Sequence, residues 1–117
     1  MKNVESQIQK ACVKWFRYQY PKLLLFSIPN GGKRGIITAM NMKAEGTVSG
    51  VADLMLLHSN PLYHGLFIEM KAPKGKQSEP QKEFEFYCLS NDYQYSLCRS
   101  LEEFMFIVNQ YINLRVK

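Results

Sequence analysis

The 117-residue sequence predicts an α/β sandwich, with one mixed sheet of about four strands flanked by helices. Two observations carry this. Apolar runs short enough for strands alternate with longer stretches of helical periodicity, and clusters of Pro, Asn and Gly separate them. The length allows one hydrophobic core and not two, so residues 1–117 read as a single domain. An apolar content of 46% and an aromatic content of 13% are enough for that core. No apolar run nears the roughly 20 residues that would span a bilayer, so no membrane partner is expected. The start of the chain is charged and lacks the apolar core of a leader peptide, which points to a cytoplasmic protein.

The elements follow in order. Val4, Ile8, Ala11, Cys12, Trp15 and Phe16 predict an amphipathic helix over 3–19, with Asn3 as its cap and Lys10, Lys14 and Arg17 facing outward. At about 100° per residue, Glu5 falls inside the apolar arc. An acid there either complements the helix dipole in a wet first turn or points across the edge of the core. Residues 23–28 read as a fully buried strand and 29–35 as a basic loop. That loop has neither GxxxxGK[ST] nor GxGxxG, so no nucleotide cofactor is expected. Asn30, Lys33 and Arg34 suit contact with a nucleic-acid backbone, or else form an ordinary turn. A short helix over 36–45 closes at Gly46. Ser78 and Gln81 have capping-box spacing, with Pro80 in the first turn of a helix running to about Ser90. Residues 93–98 make a further strand, and Ser100 caps a last amphipathic helix.

Between these lie two apolar runs, 50–57 and 66–71, that read as buried strands yet carry Asp53, Glu69 and Lys71. The turn signals near Asn60 and Pro61 fold the second run back on the first, pairing Asp53 with Glu69 or Met70. Opposed side chains on neighbouring strands have Cβ atoms about 5 Å apart, so two ionised carboxylates there repel unless a cation lies between them. Lys71 shares the face of Glu69 by strand alternation. The cluster is either a cation site or an Asp, Glu and Lys salt-bridge network. His58 and His64 have no partner at ligand spacing, and Cys12, Cys88 and Cys98 lack zinc-site spacing and read as buried reduced thiols.

Charge is uneven: residues 1–44 hold eight basic residues and one acid, the remainder seven basic residues and nine acids. A basic front half suits a polyanion such as nucleic acid, or a solvated surface.

Taken together, Glu5 and Gln9, Pro29 to Gly32, Gly46, Gly50 to Asp53, Ile68 to Lys71 and Gly75 to Gln81 resemble the PD-(D/E)XK nuclease superfamily, specifically a compact stand-alone VRR-NUC domain. One departure is Ala52, where the family commonly has Pro. The resemblance implies a restriction-endonuclease-like fold and a metal-dependent DNA endonuclease that hydrolyses phosphodiester bonds. It further implies a structure-selective enzyme acting on branched or Holliday junction-like DNA. By the same resemblance Asp53, Glu69 and the main-chain carbonyl of Met70 ligate Mg²⁺ or Mn²⁺, Lys71 is catalytic, Gln81 supports the site and Glu5 is an additional acid. Lys74 and Lys76, with Asn30, Lys33 and Arg34, would meet DNA. Stand-alone relatives imply a homodimer and often a phage origin, which would place the protein in the host cytoplasm. A non-catalytic nucleic-acid-binding module retaining the fold is the alternative.

Overall fold

The computed structural model describes residues 2–29 and 35–116. Among them the order is α1 (Lys2–Gln19), β1 (Leu25–Ser27), α2 (Ile36–Ala44), β2 (Leu54–Leu56), β3 (Leu66–Met70), α3 (Glu79–Ser90), β4 (Gln94–Cys98) and α4 (Leu101–Asn113). The strands form one sheet in the order β1-β2-β3-β4, antiparallel at the first two junctions and parallel at β3–β4. This is the predicted mixed sheet.

Strand alternation divides the core into two layers. Leu54, Leu56, Leu66, Ile68 and Met70 face α1 and α4, where Cys12, Phe16, Phe104, Val108 and Tyr111 close over them. Side chains of this size each contribute about 1.5–3 kcal/mol by leaving water. On the opposite face Ala52, Phe67, Tyr95 and Leu97 pack against Phe84 and Cys88 of α3. Burial pushes the Cys12 and Cys98 thiols up to about 12 and Cys88 to about 11, so all three free cysteines are neutral packing groups.

The β2–β3 connection is fixed by side-chain bonds. Asn60 Oδ1 accepts from the amides of Leu62 and Tyr63 at 2.9 and 2.8 Å, an Asx turn at the predicted place. The Tyr111 hydroxyl donates to the His58 carbonyl at 2.7 Å, and Asn60 Nδ2 donates to the Tyr111 carbonyl at 3.0 Å. The loop that sets the hairpin is thereby tied to α4.

Three expectations change. Residues 23–28 shrink to a three-residue strand that is buried only at Leu25, with Phe26 38% exposed. The reason is position: β1 is an edge strand covered by α1 on one face. The helix α1 begins at Lys2, so Asn3 lies in its first turn and not at the cap. The apolar helix α2 buries none of its residues, leaving Ile36, Ile37 and Met40 exposed.

One close approach positions the sheet end. Gly50 has φ +87°, and a Cβ there would lie 2.4 Å from the Pro80 carbonyl carbon and 2.8 Å from the Gln81 nitrogen. Gly46 also has positive φ, +108°, but nothing within 4 Å of a Cβ. Gly50→Ala is therefore expected to cost more than Gly46→Ala: about 1–2 kcal/mol of backbone strain at either position, with steric overlap added at Gly50 alone. Urea denaturation of the two variants measures the difference, and equal losses would contradict the packing described.

Candidate metal centre

The register places the two carboxylates opposite each other. Leu54 pairs with Ile68, and the Asp53 amide also donates to the Ile68 carbonyl at 3.1 Å, which sets Asp53 at the end of that pairing with its carboxyl against that of Glu69. Asp53 sits one residue before β2 and not within it, which frees its carboxylate to accept from the Met70 amide at 2.7 Å. That bond covers the backbone of β3 where β2 no longer pairs with it.

Glu69 is 4% exposed. Its Oε2 accepts from Gln81 Nε2 at 2.7 Å, while its Oε1 is buried with no hydrogen-bond partner among the described residues. Gln81 serves two purposes with one carboxamide. Its Oε1 accepts from the Ser78 amide at 2.8 Å, completing the capping box of α3, and the opposite end of the same group is thereby aimed at Glu69. Gly50 admits the close contact that holds this helix start against the sheet.

Burial, then the adjacent Asp53 charge, pushes Glu69 up to about 8. Asp53 is raised as well, chiefly by burial, with Glu5 adding repulsion and the Met70 amide and Lys71 opposing it. At neutral pH the pair therefore holds a proton in the absence of a cation. Lys71 follows β3 directly and pulls on both carboxylates, yet the ion pair found among the described residues is Lys82 with Glu79 at 3.1 Å, on the surface of α3. A closed salt-bridge network is thus not what the cluster forms. Glu5 reaches the same end of the sheet, where its Oε2 lies 3.4 Å from the Ala72 amide. Its place on the inward arc of α1 is explained by that reach. Among the described residues no group of three His, Cys, Asp or Glu is gathered for a metal. The side chains able to offer carboxylate oxygens to a hard cation are Asp53 and Glu69, and Met70 lines the same opening as Asp53.

The loop after β3 is braced behind Lys71. Arg99 Nη2 donates to the Gly75 carbonyl at 2.9 Å, and Gln77 Nε2 donates to Glu85 at 2.8 Å and to the Tyr95 hydroxyl at 3.3 Å. Lys74 and Lys76 are exposed on this loop. Asn30, Lys33 and Arg34 lie outside the described residues.

A groove of about 800 Å³ opens from Asp53 and Glu5 and runs between α1 and β1. Lys10, Lys14, Arg17 and Phe26 line it. The sequence presents the three cations as an outward face of α1 and does not connect them to Asp53. Their i, i+4, i+7 spacing was the available signal, and the missing information was which strand lies beside them.

The raised Glu69 fixes a stability dependence. A carboxyl whose folded value, about 8, exceeds its unfolded value of 4.5 contributes stability that is full below pH 4.5 and lost as pH rises through 8. Glu69→Gln should remove that loss. With chelator present, the variant's melting temperature relative to wild type is expected to rise between pH 5 and pH 9, and a pH-independent difference would contradict the shift.

The VRR-NUC domain family model matches residues 3–102. A solved structure described as a VRR-NUC domain protein is similar over 95% of this chain and 89% of its own, with a TM-score of 0.79 and 21% identity. No curated protein matches the sequence. Among the described residues no helix is long and apolar enough to cross a membrane.

Proposed function

Since the chain belongs to the VRR-NUC domain family, a family of nuclease fold, we propose that it is a Mg²⁺- or Mn²⁺-dependent endonuclease that hydrolyses DNA phosphodiester bonds. The observation that carries this reading is the buried Oε1 of Glu69, unpartnered among the described residues, beside the Asp53 carboxylate. An orphaned oxygen in a pair of carboxyls that repel each other is costly, and a hard cation would satisfy both. Asp53, Glu69 and the Met70 carbonyl would hold it, with Glu5 as a further acid nearby.

When bound, the cation supplies Lewis-acid charge to the phosphate and acidifies the attacking water. The protein's own groups do the rest. Gln81 fixes the rotamer of Glu69 through its bond to Oε2, and the Met70 amide fixes Asp53. Lys71 places a positive charge beside the two carboxylates, where it offsets the negative charge that grows on the phosphate as water adds and the P–O bond to the leaving oxygen breaks. Glu69 must lose its proton to act as a ligand, so cation binding strengthens as pH rises toward 8.

Selectivity would come from the phosphate backbone and DNA shape, consistent with branched or junction substrates. Symmetric cutting of two strands needs two active sites, hence a homodimer.

The test is incubation of the purified protein with linear, supercoiled and four-way-junction DNA in Mg²⁺, Mn²⁺ or chelator. Cleavage is expected with either metal and none with chelator. Asp53→Ala and Glu69→Ala should each lower the rate by on the order of a thousandfold or more while melting cooperatively. Gln81→Glu retains a capping acceptor for Ser78 but opposes Glu69 with a second charge, so it should keep the helix and lose most activity. DNA binding without cleavage under every metal condition would favour the non-catalytic module instead.

A further inference from the structure

The helix α2 has a stability problem that the rest of the described chain does not solve. It has nine residues, fewer than the roughly 12–15 that an isolated helix needs in water, and it opens on the β-branched run Ile36, Ile37 and Thr38. Its cap is Gly35, with no side-chain bond to the first turn, and no acid there complements the helix dipole. Such a helix forms by packing, yet none of its residues is buried. Ile36, Ile37 and Met40 fall within about 100° of one another around it and are 79%, 76% and 64% exposed. The apolar face continues past the helix end. Val48, 59% exposed, and Phe86 of α3, 66% exposed, line the groove between the residues after α2 and the start of α3.

Area and charge decide what covers this face. At these exposures the five side chains present on the order of 600 Å² on each copy, so two copies set against each other reach the roughly 1,200 Å² at which specific interfaces begin. The groove also carries Lys43 and Lys82 with Glu79 and Glu83, a balance of signs that neither a polyanion nor an anionic membrane selects. Lys82 pairs with Glu79 on its own helix, which leaves Lys43 and Glu83 for an outside match. A two-fold contact meets its own patch, so both signs must lie on it, as they do here. We propose that the α2 face, with Val48 and Phe86, packs against the same face of a second copy of this chain. The proposal rests on the nuclease reading for its purpose alone, two cutting sites in one particle, and gives that homodimer a surface.

Sedimentation equilibrium of the purified protein, in chelator and without DNA, separates the two readings, because self-association proceeds whether or not hydrolysis occurs. A concentration-dependent equilibrium of monomer and dimer is expected. Combined Ile37→Glu and Met40→Glu should weaken association by about a hundredfold or more, since like charges then meet across an apolar contact. Phe106→Glu puts a charge on a residue of α4 that is 62% exposed, and should leave association unchanged. Hydrogen exchange on the unaltered protein avoids any question of variant folding: the α2 amides should exchange more slowly as protein concentration rises. A monomer at every concentration up to about 100 μM, or equal weakening by Phe106→Glu, would overturn the proposal. So would α2 exchange that ignores protein concentration and slows only when a DNA duplex or anionic vesicles are added. A dimer that forms through α2 and cuts no DNA counts against the nuclease reading alone, and a monomer that cuts counts against this interface alone.

Discussion

Two carboxyl groups face each other across the end of an antiparallel hairpin, and the rest of the site follows from accommodating them. Asp53 and Glu69 are brought together by the pairing of Leu54 with Ile68, a register set by hydrophobic side chains on the other face of the sheet. A slip of one residue would turn Leu66, Ile68 and Met70 out of the core, so the apolar layer under α1 and α4 enforces the proximity of the acids. The cost is visible in a Glu69 pushed up to about 8, by burial first and then by the Asp53 charge, and in an oxygen left without a partner among the described residues. Burying charge this way persists in proteins when something else satisfies it.

The surrounding groups act on that pair at different levels. The capping box of α3 is ordinary helix chemistry, yet its carboxamide also holds Glu69, so the start of the helix and the orientation of the site are one structure. Gly50 makes this possible by letting the chain before Asp53 pass against Pro80 and Gln81 closer than any side chain would permit. Lys71 contributes field and not a salt bridge, which leaves its charge available to an anion. Around these groups, α1 supplies Glu5 at one end and a cationic stripe beyond it, so a single helix borders both the acidic centre and the groove leading away.

Much of this could be read from local sequence chemistry, because hairpin register, capping boxes and helix arcs are short-range features. The opposition of Asp53 and Glu69, the Asx turn at Asn60 and the inward place of Glu5 all follow from alternation, turn residues and helical angle. What depended on tertiary neighbours could not be read. The run from Leu23 to Ile28 looks fully buried in composition, and only the sheet order shows it to be an edge whose Phe26 is open. Likewise α2 is apolar enough for a core, but no layer of the described fold covers it. Gln81 could be read as a cap; that its free amide end meets Glu69 depends on how α3 docks against the sheet.

In the proposed function the Asp53–Glu69 pair exchanges its proton for a divalent cation. Calorimetric titration of Mn²⁺ into the protein at pH 7, in two buffers of different ionisation enthalpy, tests it most directly. Binding is expected to release about one proton per site and to be lost in Asp53→Asn. Binding with no proton release, or unchanged binding in Asp53→Asn, would contradict it.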